Sequence, residues 1–489
     1  MIVNWILALA SAGLLVLLFP PFNLYWLSPI ALAPLLIACA REASWRWRFG
    51  FGYAAGIVYW FGICHWIQWT LAHHAAMGDG LAWFLFALFC LAKALQMGIF
   101  ASLSGLLIRK SYAVPAIAAL WVAIEWTHSY TGFEWLNLGN AASDLPLPLR
   151  LAPFTGVWGI SFSLAMIAVV VALIATRAQR HPAFWLAILP ALYFLPDVPP
   201  TQPGTAGAVV VQPNIDDEAI WTADLLRDTE RQMRLFSLSV AGREGETSII
   251  VWPEVPAPFY ESDPDFINLL SGIARQADAA VLSGVVAHAG NRGPPLNSAL
   301  LLNSSGAVVS RYDKVNLVPF GEFVPWPFGL VTQKVSTEAG DFTPGTKVVV
   351  SPIDGHKIGT FICYESVFPS YIRKFADSGA EVLFNISNDS WFGKSAARYQ
   401  HLLIVRMRAA ENRRWIVRST NDGVSGVVDP AGRVVRTLPE FEESSARLPY
   451  GYVSGKTFYT RFGDWFVLLC WLGAAAAVTS AVLPARRRL

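Results

Sequence analysis

Apolar residues cluster into runs of membrane-crossing length over the first 200 positions, and their period changes abruptly afterwards. Seven such runs extend from Trp5 to Phe19, Leu24 to Ala40, Phe49 to Ile67, Leu81 to Leu107, Val114 to Thr127, Phe154 to Thr176 and Ala183 to Leu195, and an eighth from Trp465 to Leu483. A hydrocarbon core about 30 Å thick takes roughly 20 apolar residues per helix, so the pattern predicts eight spans. The fifth and seventh runs are short, and Pro20, Pro115 and Pro190 blur their limits. From Ala208 onward short β-rich runs take over: Ala208 to Val211, Ser248 to Trp252, Ala280 to Ser283, Ser298 to Asn303, Lys347 to Val350, Ile358 to Cys363, Val382 to Ile386, Ile416 to Thr420 and Gly426 to Asp429. Helical periods separate several of them, at Ala223 to Val240, Pro264 to Gln276, Tyr371 to Ser378 and Lys394 to Arg413. The expected organisation is a seven-helix membrane domain over residues 1–200, an α/β domain over 201–460, and a last helix with a basic tail over 461–489. The breaker-rich stretch from Pro196 to Pro203 reads as the linker.

Charge sharpens this division. The chain is 54% hydrophobic and 15% charged, well below the quarter usual in soluble chains. Only 15 of its 72 Asp, Glu, Lys and Arg residues fall in the first 200 positions. Lys and Arg mark every second loop: Arg41, Arg46 and Arg48, then Arg109 and Lys110, then Arg177 and Arg180, then Arg486, Arg487 and Arg488. The intervening loops hold only Arg150. Because cytoplasmic loops collect Lys and Arg, both termini are expected in the cytoplasm, with the α/β domain on the opposite face. A net charge of +2 gives no footing for a nucleic-acid partner, and nothing in the chain demands more than a monomer.

Four of the five cysteines, Cys39, Cys64, Cys90 and Cys470, sit inside apolar runs, where the residue is ordinarily a small hydrophobe. Cys363 alone lies in the α/β domain, in the segment Gly359-Thr-Phe-Ile-Cys363-Tyr-Glu-Ser, a buried-looking strand ending on the cysteine. It has no disulfide partner in its own domain. A strand-tip thiol can be a nucleophile once a base or cation generates the thiolate; a buried strand-end thiol is the plain alternative. The domain's three histidines, His288, His356 and His401, form no recognisable motif. Two other strand ends supply candidates: Glu254 in Val251-Trp-Pro-Glu254, and Lys314 in Arg311-Tyr-Asp-Lys314, which follows a β-run. A carboxylate can take the thiol proton and an ammonium can face an oxyanion. Either residue alone reads as a solvated strand-end charge, but the three together suit acyl transfer. No Cys, His or carboxylate spacing suggests a metal site, and no cofactor is implied.

The segments Val251-Trp-Pro-Glu254, Tyr312-Asp-Lys314-Val-Asn-Leu-Val-Pro-Phe-Gly-Glu322-Phe-Val-Pro, Cys363-Tyr-Glu and Asn388-Asp-Ser-Trp-Phe-Gly393 resemble the nitrilase superfamily. With eight spans, the resemblance is to its membrane-bound branch, the bacterial apolipoprotein N-acyltransferase family, and covers essentially the whole chain. It implies a four-layer αββα sandwich and a catalytic triad of Glu254, Lys314 and Cys363. It further implies an enzyme of the inner membrane with a periplasmic catalytic domain. Such an enzyme moves an acyl chain, typically the sn-1 chain of phosphatidylethanolamine, through a thioester to the α-amino group of a diacylglyceryl-modified N-terminal cysteine of an apolipoprotein. A membrane-tethered amidase or nitrilase is the alternative with the same triad.

Around that triad the backbone N–H of Tyr364, directly after the nucleophile, is expected to join Lys314 at the oxyanion. Glu322 belongs to the resemblance and would position the triad, unless it is a surface-loop carboxylate. Tyr364, Glu365, Asn297 and Trp391 align with positions near the family's site, and plain core packing competes for Trp391. The apolar stretch from Phe323 to Val331 is expected to dip into the bilayer surface, with burial in the core as the alternative. Lys93 and Glu125 lie in apolar runs and are expected to face a polar cavity or reach the interface. Glu134, in Gly132-Phe-Glu-Trp-Leu136, stands where the family has proline, which leaves that loop's conformation open.

Overall fold

The β-rich runs after Ala208 pair into two six-stranded sheets in a computed structural model that describes residues 1–74, 78–179, 181–201, 203–216, 219–242, 246–290, 293–323 and 342–483. Arg180, the tail arginines Arg486 to Arg488, and all but Phe323 of the apolar stretch up to Val331 lie outside the described residues. The chain divides into two compact units. One comprises Met1–Trp69, Asp79–Val198 and Phe462–Leu489; the other comprises Thr70–Gly78 and Pro199–Arg461.

In the second unit, β1 (Ala206–Gln212), β2 (Ile249–Val251), β3 (Ala280–His288), β4 (Pro295–Leu302) and β5 (Val308–Asp313) precede β6 (Val350–Ile353), β7 (His356–Ile362), β8 (Val382–Ser387), β9 (Trp415–Thr420), β10 (Gly426–Val428), β11 (Val434–Thr437) and β12 (Ser444–Tyr450). One sheet runs β12-β1-β2-β3-β4-β5 and the other β11-β10-β9-β8-β7-β6. The central strands β1, β2 and β3 are parallel, as are β7, β8 and β9. Parallel pairing requires crossover helices: α1 (Ala223–Val240) and α2 (Pro264–Ala277) on the first sheet, α3 (Pro369–Asp377) and α4 (Ala397–Asn412) on the second. Thr222 accepts a hydrogen bond from Leu225 N–H and starts α1; Asp263 does the same for α2 through Asp265 N–H, with Pro264 as its first helical residue.

The central strands bury both faces, so they read as apolar runs without alternation. On the outer face of the first sheet, Val209, Val211, Ile250 and Trp252 pack with Met233 of α1 and Phe266, Leu270 and Ile273 of α2. On its inner face the sheets touch closely enough for Ser419 Oγ of β9 to hydrogen-bond Val211 O at 3.0 Å and Val251 O at 3.3 Å across the interface. The layers are therefore helices, sheet, sheet, helices, as the resemblance implied. Two local readings shift. Arg311 to Asp313 belong to β5 itself rather than following it, and β7 stops at Ile362, one residue before the cysteine.

In the first unit each apolar run contains helix, including Ile2–Leu17, Ala33–Arg41, Trp45–Cys64, Ala113–Tyr130 and, as a 3-10 run, Pro182–Phe194. Among the described residues three helices, Asp79–Leu107, Val157–Thr176 and Trp465–Val482, are long and apolar enough to cross a membrane by length and composition. Lys93 is buried, with Nζ 2.7 Å from His128 Nδ1, 3.1 Å from Thr131 Oγ1, 3.0 Å from Phe133 O and 4.7 Å from the Trp60 ring centre. The loop around Glu134 is held by its carboxylate, which accepts from Asn137 Nδ2 at 3.0 Å and from Ser129 Oγ. Those bonds do the fixing that a proline ring would otherwise supply. Glu125 accepts Leu138 N–H at 2.5 Å, tying the same loop to the helix Ala113–Tyr130.

Candidate active site

Glu254 owes its position to a close backbone crossing. Trp252, just past β2, donates its N–H to Leu282 O at 2.8 Å and buries its ring, with Nε1 on Ser237 Oγ at 2.9 Å. The chain then turns sharply through Val255, whose φ is +30°. A β-carbon on Gly284 would meet Pro253 O and Val255 N, both at 2.4 Å, so only glycine lets β3 run beneath this turn. The Glu254 carboxylate accepts Asn388 N–H at 2.9 Å, Asn297 Nδ2 at 2.7 Å and Lys314 Nζ at 2.9 Å.

Lys314 leaves β5 with its N–H on Asn297 O at 2.8 Å. Its ammonium, 1% exposed, lies 2.9 Å from Glu254 Oε1 and 2.9 Å from Glu322 Oε2. Glu322 in turn accepts Val318 N–H at 2.8 Å and Asn297 Nδ2 at 2.7 Å. Asn297, in β4, thus bridges both carboxylates through one amide nitrogen. Burial works against the Lys314 charge, but Glu254 and Glu322 outweigh it and hold the ammonium well above its ordinary pKa. Glu322 is buried beside the ammonium, which removes the surface-carboxylate reading.

Cys363 opens the 3-10 turn Cys363–Val367 directly after β7. Its φ of +49° is unusual for a residue with a side chain and costs about 1–2 kcal/mol. Burial pushes the thiol up, and the nearby charge of Glu254 pushes it further, while Lys314 and a hydrogen bond with Ser387 pull the other way. The thiol thus lies within electrostatic reach of the Glu254 carboxylate and the Lys314 ammonium, and to act as a nucleophile it would need a base.

Glu365, two residues on, is fully buried, and its hydrogen-bond partners lie outside the Glu254–Lys314–Cys363 set. Its carboxylate accepts Tyr312 OH at 2.6 and 2.7 Å, Ile362 N–H at 2.8 Å, Val315 N–H at 2.8 Å and Asn316 N–H at 3.1 Å. It pins the turn bearing Cys363 to the loop bearing Lys314. Burial pushes it up to about 7 against the pull of those donors. Tyr364 is buried, its ring edge-on to Phe368 at 5.4 Å. Trp391 is half-buried; its ring stacks on His74 at 4.6 Å and its carbonyl accepts Thr70 Oγ1 at 2.8 Å. It also covers Gly321, where a β-carbon would come within 3.1 Å of the indole, so it stands beside the Glu322 loop.

Sequence reasoning set His401 aside and did not single out Ser387, Asp389 or Arg418. All four are fully buried next to the Cys363 turn. Arg418 Nη2 lies 2.7 Å from each Asp389 oxygen and 3.1 Å from His401 Nδ1. Ser387 Oγ donates to Asp389 at 2.9 Å, and His401 Nε2 reaches Cys363 O at 3.1 Å and Ser366 Oγ at 2.8 Å. Nothing local announces this cluster, because Asp389 and Arg418 are drawn together only by the pairing of β8 with β9. Among the described residues no group of three or more His, Cys, Asp or Glu side chains is arranged to hold a metal ion.

The arrangement can be set against known proteins. A family model described as carbon-nitrogen hydrolase matches residues 208–454, and one described as apolipoprotein N-acyltransferase N-terminal domain matches residues 11–170. An apolipoprotein N-acyltransferase of Geobacter metallireducens is 32% identical over 99% of this chain and 96% of its own length. One from Azotobacter vinelandii is 33% identical over 94% of this chain and 92% of its own. Among solved structures, Saccharomyces cerevisiae Nit3, a member of branch 10 of the nitrilase superfamily, aligns over 58% of this chain and 97% of its own at 18% identity, with a TM-score of 0.40.

Proposed function

Because the chain belongs to the apolipoprotein N-acyltransferase family, an acyltransferase family whose members carry a carbon-nitrogen hydrolase domain, we propose that it takes an acyl chain from a membrane phospholipid onto Cys363 and passes it to the α-amino group of a diacylglyceryl-modified N-terminal cysteine. The observation that carries this reading is the buried Glu254–Lys314–Glu322 cluster within electrostatic reach of the Cys363 thiol.

In the first half-reaction Glu254 takes the thiol proton as sulfur attacks the ester carbonyl carbon. The oxyanion forms against Lys314 Nζ and the Tyr364 N–H. Its collapse breaks the C–O bond at sn-1, and the departing alkoxide of the lysophospholipid takes the proton back from Glu254. In the second half the incoming amine attacks the thioester and yields its proton to Glu254. The C–S bond breaks, and an amide and a regenerated thiol remain. Phosphatidylethanolamine fits the donor role and Asn297 and Glu322 fit positioning roles. Eight spans, both termini cytoplasmic and a periplasmic catalytic domain over residues 201–460 fit the alternation of Lys and Arg along the chain. The low charge content of the first 200 residues suits an enzyme whose two substrates are both held in the bilayer.

The carbon-nitrogen hydrolase match favours one competing reading, a tethered amidase. Purified full-length protein in phospholipid micelles, given a diacylglyceryl-cysteinyl peptide and acyl-labelled phosphatidylethanolamine, separates the two. Label in a hydroxylamine-resistant amide on the peptide is the expected product. Release of free fatty acid with no labelled peptide would replace the acyltransferase reading with the hydrolase.

A further inference from the structure

The buried cluster behind Cys363 is left unused by the two half-reactions, and its contacts give it a direction. His401 is the fifth residue of α4, with one ring nitrogen on the nucleophile's own peptide and the other on an ion pair. The proton position follows from the surrounding donors and acceptors. Nδ1 lies 3.1 Å from Arg418 Nη2, which can only donate, and 3.2 Å from Asp389 Oδ1, which already accepts from Arg418 and Ser387, so Nδ1 is assigned as the acceptor of the Arg418 N–H. Nε2 then carries the hydrogen and shares it between Cys363 O at 3.1 Å and Ser366 Oγ at 2.8 Å, both in the Cys363–Val367 turn. The opposite tautomer would give Asp389 Oδ1 a third donor at 3.2 Å but would set the same N–H against the guanidinium and a lone pair against the carbonyl oxygen. Burial, and then the charge of Arg418, keep the ring from taking a second proton. Arg418 is itself fixed by Asp389, by Val424 O at 3.2 Å and by Asn385 Oδ1, so the imidazole has a rigid backstop.

The Cys363 carbonyl and the Tyr364 N–H are two edges of one planar trans peptide unit and point in opposite directions. Holding the oxygen fixes the aim of the hydrogen, and a carbonyl that accepts a hydrogen bond makes the N–H across the same peptide a stronger donor. We propose that His401, braced by Arg418 and Asp389, is a positioning residue that aims and polarises the Tyr364 N–H toward the oxyanion formed on Cys363. This rests on the reading of Cys363 as an acyl-accepting nucleophile. The cluster also holds the turn in which Cys363 has a positive φ, so the nucleophile and its oxyanion donor are set by one device.

The test compares two reactions of the same sulfur in the full-length, detergent-solubilised protein. Acylation by p-nitrophenyl acetate forms the S–C bond, breaks the C–O bond and releases p-nitrophenolate, with the thiol proton passing to Glu254. It proceeds through an oxyanion. Alkylation by iodoacetamide displaces iodide and forms none. Cys363→Ala supplies the background for both. His401→Leu is expected to slow acylation roughly 10- to 100-fold, short of the 10²–10³-fold loss of an outright oxyanion donor, with alkylation unchanged. His401→Gln, whose amide nitrogen can donate where Nε2 did, is expected to restore most of the acylation rate. Should His401→Leu fail to fold, His401→Met removes the same N–H and carries the same expectation. Parallel loss of acylation and alkylation, no loss of either, or a Gln variant as slow as Leu would overturn the proposal. A wild-type protein that takes label from the activated ester but not from phospholipid would instead defeat the donor assignment, leaving the role of His401 decided by the ratio of the two rates.

Discussion

Around Lys314 two carboxylates share one ammonium, while around Asp389 one carboxylate is matched by one guanidinium and a neutral imidazole. Both clusters are buried in the same α/β unit and both lie near the Cys363 turn. The first sets two carboxylates against one ammonium, so Lys314 would keep an ion-pair partner in Glu322 if Glu254 acted as the proposed base. The second is balanced. Burial would raise the Asp389 carboxyl, but the Arg418 guanidinium holds it well below its usual range. A cluster that can change its proton count suits transfer chemistry, and one that cannot suits the fixing of geometry.

Breaking the first cluster should silence chemistry more than structure. Glu254→Gln keeps the shape and an acceptor for Lys314 but removes the base, and acylation of Cys363 by phospholipid should fall about 10²–10⁴-fold. Quenched-flow labelling reads the rate, and a melting curve should move little. Asp389→Ala should do the reverse. It strands a buried guanidinium, which costs about 3–5 kcal/mol, and thermal unfolding in detergent should register that loss at a lower midpoint. Asn297→Ala removes one donor from each of Glu254 and Glu322. At about 1.5–3 kcal/mol per charge-assisted bond, its melting shift should be comparable to that of Asp389→Ala. The last effect, read through pH, concerns Glu365. Its folded-state pKa of about 7 stands above the unfolded value near 4.3. The stability it contributes is therefore complete below about 4.3 and is lost as pH rises through about 7. Melting temperatures between pH 5 and pH 8 should decline, and Glu365→Gln should flatten that decline; an unchanged slope would remove Glu365 as its source.

The same contrast explains what the sequence reveals. Glu254, Lys314 and Cys363 are legible because each lies at or next to a strand end, where a polar residue interrupts an apolar run. Glu322 becomes legible only through the resemblance, since its contact with Lys314 depends on how the loop folds back through Val318 N–H. His401 looks like an isolated histidine on a helix, and Asp389 and Arg418 look like separate charges, until β8 and β9 pair. Among the strands, β11 is exposed at every position and β12 is half-buried for most of its length, so neither alternates. Strand β6 begins at Val350, where the apolar pattern was expected to end, and carries Pro352, a residue that argues against a strand except at an edge. The Glu134 loop could not be read from a missing proline, because the bonds replacing it come from Ser129 and Asn137 on either side.

The central claim is that Cys363 carries the acyl chain, and it is tested most directly by incubating the purified full-length protein with acyl-labelled phospholipid and no acceptor. The expected result is label bound to Cys363, released by neutral hydroxylamine and absent from Cys363→Ala. A wild-type protein that acquires no label, or a Cys363→Ala variant that labels equally well, would contradict it.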